Sequence, residues 1–268
     1  MRDFTLKSYR RLLTAALESG YSIQTFEGFL RHPQEGNVII LRHDVDELAP
    51  NALRMAQVER QLGVKASYYF RIVKQSNNPD IIRQIVGMGH EVGYHYEDLV
   101  SAEGDAAVAV ESFAKNLTYF RQFYPVATVC MHGSSTSQFD NRSMWNHCSL
   151  SDFDLLGEPY LSLDFDKLYY LTDTGYAWDG GKYAVRDVVN NSQGLTFHST
   201  DQVVAAMRNH SFPSQSMILA HTLWSGTWSQ WVMLHLREWL RNNVKRYSRQ
   251  HPIVARCYSR LVKAYWKH

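Results

Sequence analysis

The chain has 268 residues, 45% of them hydrophobic, with a formal net charge of +2. That length suits one large domain or two small ones, and that apolar content excludes a disordered chain. So small a net charge gives no electrostatic case for nucleic acid, and no apolar run approaches the roughly 20 residues that span a bilayer.

Residues 4–18 place Phe4, Tyr9, Leu12, Leu13, Ala16 and Leu17 at helical spacing, with Gly20 as the stop. A short strand over 21–26 and a short helix over 26–30 follow. Residues 37–42 form an apolar β run, expected to be buried on both faces. A helix over 49–62 has Pro50 in its first turn and Gly63 at its end. Residues 64–72 predict a strand, 79–88 a helix, 91–96 a strand, 101–123 one long helix and 126–131 a strand. A short helix at 141–147, a strand at 168–172, a helix at 200–208 and a strand at 216–220 complete the alternation. Strand–helix alternation predicts a parallel sheet or barrel, and neither a Pro/Gly-rich linker nor a repeat divides it.

The polar residues collect where strands end. Arg42-His43-Asp44-Val45-Asp46 follows the first long strand, with Asp44 and Asp46 two apart and pointing one way. Two converging carboxylates repel unless a proton or a metal lies between them. His95, with Glu97 and Asp98 just after it, ends the 91–96 strand. His132 ends the next strand, Asp173 the one after, and His221 the last. In a parallel sheet these groups share the carboxyl rim, where α/β folds place ligands and catalytic groups. His90, at the entrance of its strand about 17 Å away, is expected to be structural. Twelve histidines favour a metal or acid–base site. Cys130, Cys148 and Cys257 are too widely spaced for a disulfide framework or a cysteine zinc site, which suits a reducing compartment. The amphipathic start at Met1–Phe4 lacks an apolar signal segment, so a cytoplasmic protein is expected.

Between Arg237 and His268 stand nine Lys or Arg and one acid, Glu238, with apolar residues at helical spacing on both sides of Pro252. Two basic amphipathic helices with a solvated face are expected. The alternative is contact with an anionic membrane surface or a phosphate-bearing ligand.

These motifs resemble those of the NodB-type polysaccharide deacetylases, carbohydrate esterase family 4 and relatives, over roughly residues 37–222. Arg42–Asp46 is similar to the first family motif, Gly89–His95 to the approach to the second, and Met217–His221 to the last. His95-Tyr96-Glu97 and Met131-His132-Gly133-Ser134 mark an outlying branch associated with surface-polysaccharide biosynthesis. The resemblance implies an α/β fold: a NodB-like (β/α)7 distorted barrel with N- and C-terminal helical additions. The expected division is 1–36 as an N-terminal helical addition, 37–222 as the barrel, and 223–268 as basic helices packed on the same domain.

By the same resemblance, Asp44 is the general base, Asp46 and His95 bind one divalent metal, with Zn²⁺ first in order, and His221 is the general acid. The family's second metal histidine falls at Leu99, which cannot bind a metal. The third ligand is expected to be His132, with Asp98 or Glu97 as alternatives. Arg42, Asp173 or Arg186 could orient Asp44 and His221, and Ser134 lies where the family places substrate contacts. Trp178, Trp224 and Tyr94 are candidate sugar-stacking walls. The implied reaction is hydrolysis of an N-acetyl or similar acyl group on an amino sugar in a glycan, nucleotide sugar or lipid-linked sugar. Two rival readings are a metal hydrolase for another amide or C–N bond, and a sugar-binding pseudo-deacetylase without activity.

Overall fold

A computed structural model describes residues 2–134, 137–178, 189, 194–248 and 260. The sequence sets most boundaries through its caps. Helix α1 (Leu6–Glu18) starts at a capping box of Thr5 and Ser8 and buries Tyr9, Leu12, Leu13 and Ala16. Strand β1 (Ser22–Gln24) and helix α2 (Phe26–Arg31) follow, so the first 36 residues also supply a strand. Strand β2 (Val38–Val45) leads to helix α3 (Ala49–Gln61), which has proline in its first turn. Strand β3 (Ser67–Phe70), helix α4 (Pro79–Gly87) with Asn78 as its cap, and strand β4 (Glu91–Tyr96) come next.

The long helix expected over 101–123 is two helices, α5 (Asp98–Ser101) and α6 (Ala106–Phe120). Gly104 separates them with a φ of +93°, and a Cβ there would meet the Phe139 ring at 2.4 Å. Asp105 then caps α6 through the N–H groups of Ala107 and Val108. Strand β5 (Val129–Met131), two 3₁₀ turns (Asn141–Asn146 and Leu150–Phe153) and the short helix α7 (Pro159–Ser162) lead to strand β6 (Tyr169–Thr172). Helix α8 (Thr200–Arg208), strand β7 (Gln215–Leu219) and helix α9 (Trp228–Ser248) close the described chain.

Among the described residues seven strands form one sheet: six run in the order β5-β4-β3-β2-β7-β6, β1 pairs with β2 off this path, and every pairing is parallel. β2 is the hub. One edge takes β1 along Val38–Ile40 and then β3 along Arg42–Val45, while the other takes β7 along Val38–Arg42. The sheet is curled. Strands β2 and β5 stand three places apart, about 14 Å in a flat sheet, yet His132 Nε2 after β5 lies 3.6 Å from Asp46 Oδ1 after β2. Helices α1, α3, α4, α6 and α8 pack outside this half-barrel, Phe26 of α2 and Tyr160 of α7 pack on its inner cluster, and β2 is buried along its whole length as expected.

Alternation along β2 decides which groups face inward. Ile39, Leu41 and Val45 belong to the outer core with the helices, whereas Ile40 belongs to the inner cluster with Tyr69, Cys130, Met217 and Leu219. Arg42 and Asp44 share the parity of Ile40 and point into the curl. His43 points outward, where it binds Glu59 (2.7 Å) and the Ala220 carbonyl (2.8 Å). His90 is equally structural: buried, it accepts from Ala66 N–H and lies 3.2 Å from the Ala56 carbonyl.

Gly93 is the close-packed point of β4. A Cβ there would lie 2.5 Å from the Tyr69 ring and 2.7 Å from the Thr128 backbone oxygen. Backbone cannot rotate aside as a side chain can, so Gly93→Ala is expected to cost about 1–3 kcal/mol. Urea unfolding of wild type and variant measures this as a fall in midpoint with the slope unchanged.

Candidate metal centre and acid–base groups

Side chains from four strands meet at the carboxyl rim. Asp46 follows β2, His95 lies in β4, and His132 and His221 follow β5 and β7. His95 Nε2 lies 3.3 Å from Asp46 Oδ1 and 3.7 Å from Asp44 Oδ2. His132 Nε2 lies 3.6 Å from the same Asp46 oxygen. That oxygen is buried without a hydrogen-bond partner, as is Asp44 Oδ1.

Both imidazoles are held by their other nitrogen. His95 Nδ1 donates to the Cys130 carbonyl at 2.9 Å, and His132 Nδ1 donates to Glu97 at 3.0 Å. A proton fixed at Nδ1 leaves the Nε2 lone pair for a metal, as ligating histidines require. Glu97 is therefore the orienter of His132. Burial pushes its carboxyl up, but His132 and Arg71 outweigh this and hold it at about 2. Arg71, which follows β3, grips Glu97 through Nε (3.0 Å) and Nη2 (2.7 Å). Arg71 escaped the sequence reading, although it too is a charge at a strand end.

Asp98, the other alternative ligand, is turned away from this centre. Its carboxylate accepts from Tyr94 Oη, Ser112 and Asn116 on the outer side of β4. Leu99 beside it is in the hydrophobic core.

A deeper donor set overlaps the first: Asp44, His95 and Cys130 offer ligand atoms all within 4.8 Å of one another. Arg42 already supplies a cation there. Its Nη1 donates to Cys130 Sγ at 3.0 Å and its Nη2 lies 3.3 Å from Asp44 Oδ2. A second positive charge beside a buried guanidinium is repelled at short range. The Asp46–His95–His132 set has no guanidinium bonded into it and combines two nitrogens with a carboxylate, the donors that suit Zn²⁺. These three residues fit a divalent metal. Burial raises the Asp46 carboxyl, but His132, His95 and His221 outweigh it and keep the group ionised.

Arg42 is completely buried. Its Nη2 also donates to Tyr160 Oη at 2.7 Å, and its guanidinium lies 4.9 Å from the Tyr160 ring centre. Tyr160 comes from α7, capped by Glu158, whose carboxylate accepts from the N–H groups of Met131, Tyr160 and Leu161. Burial pushes that carboxyl up to about 7. Neither residue had a sequence signal, because a four-residue helix has too few turns to show a period.

His221 and Asp173 form the opposite wall. Asp173 Oδ1 takes both the His221 backbone N–H (2.9 Å) and its Nδ1–H (2.7 Å), and Oδ2 accepts from Trp224 Nε1 at 2.9 Å. Burial lowers the imidazolium's pKa. The bond and charge of Asp173, with Asp46 and Asp44, overcome that and raise it to about 10.

The aromatic expectations need correction. Trp224 is completely buried against Phe4, Tyr9 and Trp178, so it orients Asp173 and presents no face to a sugar. Trp178 is buried in the same cluster and donates to Thr200. Tyr94 stacks on Phe120 outside the sheet. Ser134 is half-buried in the loop after β5, whose His132 carbonyl is held by Asn141 at 2.7 Å. Arg186 lies outside the described residues.

No family model matches the chain, and no curated protein matches it. Among solved structures it is similar to a CE4 family pseudoenzyme from Bacillus anthracis, at 14% identity and a TM-score of 0.40. That match covers 79% of this chain and 62% of the other, so the chain spans less than two thirds of that protein's length. It is also similar to a family 4 carbohydrate esterase from Streptomyces lividans (13% identity, TM-score 0.39, covering 75% and 85%). A Streptococcus mutans CE4 esterase matches at 12% identity with a TM-score of 0.41, covering 84% and 85%.

Two outcomes follow from the geometry. Glu97→Gln removes the charge that orients His132, and zinc affinity measured by competition titration is expected to fall about 10–100-fold. Asp173→Asn removes the charge that raises His221. Its imidazolium then loses its proton at lower pH, and an NMR titration of the His221 ring shows the midpoint moving down from about 10 towards the ordinary value near 6.5.

Proposed function

We propose that this protein is a metal-dependent hydrolase that removes an N-acetyl or similar acyl group from an amino sugar. The observation that carries this reading is Asp46 Oδ1, buried without a hydrogen-bond partner and approached by the Nε2 atoms of His95 and His132. Asp46, His95 and His132 would hold a divalent ion, with Zn²⁺ matching the donor set. Such an ion supplies Lewis acidity, lowering the pKa of a water and polarising the acyl carbonyl.

The remaining roles belong to the side chains around it. Asp44 stands beside this centre with Oδ1 unpartnered, placed to accept a proton from an attacking water. Arg42 fixes its other oxygen from 3.3 Å away. His221, on the opposite side, keeps its proton through the neutral range because of Asp173, and its Nε2 can deliver a proton to the leaving amine. Asp44, with an open oxygen, and His221, kept protonated by Asp173, would supply the base and the acid that hydrolysis needs.

Resemblance supports the substrate class: the first and last motifs are similar to those of polysaccharide deacetylases. An amino-sugar-containing glycan, a nucleotide sugar or a lipid-linked sugar in surface-polysaccharide biosynthesis is the proposed substrate, in a cytoplasmic setting. What supports the hydrolase over a pseudo-deacetylase is that Asp44 and His221 both accompany the donor set.

Asp46→Ala is expected to abolish stoichiometric metal, read by elemental analysis of purified protein. Asp44→Asn should retain metal and lose at least about 10²-fold in turnover, the range of a general base, on a panel of formyl-, acetyl- and longer acyl-amino sugars. Full activity in Asp44→Asn contradicts the mechanism.

A further inference from the structure

Helix α9 is built the wrong way round for a helix whose outer side meets only water. Over its 21 residues, Trp228, Val232, Leu236, Trp239, Leu240 and Tyr247 are all exposed, between 38% and 62%. Met233 (57%) and Val244 (37%) fall among them. At 100° per residue these positions occupy one continuous sector of about 160°. The face turned to the body combines the buried Leu234 with polar groups: Glu238 is buried, Arg237 and Arg241 bind Glu47, and Asn242 donates to the Gly175 carbonyl. Scattered exposed apolar residues are ordinary, but a contiguous stripe marks a surface that something covers.

Charge selects the occupant. Residues 237–268 carry nine of the 28 Lys and Arg and one of the 26 Asp and Glu, a net +8, which leaves 19 cations and 25 acids, a net −6, on residues 1–236. Arg237 and Arg241 pair with Glu47, and the other seven cations follow in the sequence from Lys245 onward. An apolar, Trp- and Tyr-bearing helix face in a chain whose net positive charge is confined to this segment matches an anionic lipid surface. Apolar residues enter the headgroup boundary, aromatic rings sit at its level, and cations meet the lipid phosphates. No helix among the described residues is long and apolar enough to cross a membrane, so the geometry is one of lying on the surface.

The position of α9 ties this face to the candidate site. Glu47, gripped by Arg237 and Arg241 at 2.8 Å each, is the residue after Asp46. Gly175 lies two residues after Asp173. Tyr176 packs on His235 of α9 with ring centres 4.2 Å apart. The helix is therefore fastened to the loops that carry the metal ligand and the partner of the acid.

We propose that the exposed apolar face of α9 docks on an anionic membrane surface and holds the carboxyl rim of the barrel beside it. Where the hydrolase reading holds, this favours an amino sugar carried on a lipid over a free nucleotide sugar.

Vesicle co-sedimentation of the full chain tests the docking without any assay of activity. Phosphatidylcholine vesicles with 30% phosphatidylglycerol should retain the protein, with a blue shift of Trp emission, and pure phosphatidylcholine should bind it at least 10-fold more weakly. The double variant Leu236→Ser/Trp239→Ser, changed only at exposed positions, should lose at least 10-fold in vesicle affinity while keeping the wild-type circular dichroism and metal content. Equal binding to both vesicle types, or undiminished binding by the double variant, overturns the proposal. So does a wild-type dimer that fails to bind vesicles and that the double variant dissolves, since a second copy would then be the occupant.

Discussion

The site depends on one buried charge. Arg42 sits inside the curl of the sheet with no exposed surface, where an unpaired guanidinium would be prohibitive. Asp44, Cys130 and Tyr160 receive its N–H groups, and the Tyr160 ring lies against it. Three elements far apart in the chain (β2, β5 and α7) are thereby drawn to one point. Two of them also carry the candidate site, because Asp44 belongs to β2 and the Cys130 carbonyl positions His95. The same positive charge makes the deep Asp44–His95–Cys130 set a poor place for a metal and leaves the outer set as the better one.

The site divides into three small devices, each a polar group fixed by a charge behind it. Arg42 fixes Asp44, Asp173 fixes His221, and Arg71 through Glu97 fixes His132. In each case the group facing the cleft is the one given a role by the proposed chemistry, and the one behind it sets its orientation. Buried charges are costly unless paired. An arrangement of three such pairs around Asp46 is hard to reconcile with packing alone, and the proposed metal-assisted acid–base chemistry would account for it.

The parts of this arrangement that were legible in the sequence lie on strands. A parallel strand that ends in a polar residue delivers it to the rim, so Asp46, His95, His132, Asp173 and His221 could be read from β runs that stop at them. The β2 run was read too short, at 42, because Arg42, His43 and Asp44 look like a charged loop. They continue the strand because both faces hold partners for them: Cys130 and Tyr160 accept from Arg42 on one side, and Glu59 binds His43 on the other. The aromatic residues were misread for the opposite reason. Trp178, Trp224 and Tyr94 have no period to tell a sugar wall from core, and the structure buries all three. Glu158 and Tyr160 stand in an irregular stretch where no local pattern signals a partner for Arg42. Helix α9 was read as apolar inside and basic outside, and only the packed structure shows that much of its apolar surface is outside.

The most direct test of the central claim is the position of a bound ion. Zinc-loaded crystals measured on both sides of the zinc absorption edge should show one anomalous peak within coordination distance, about 2.0–2.2 Å, of Asp46, His95 Nε2 and His132 Nε2. A peak held instead by Asp44, His95 and Cys130, or no peak in fully loaded protein, would contradict it.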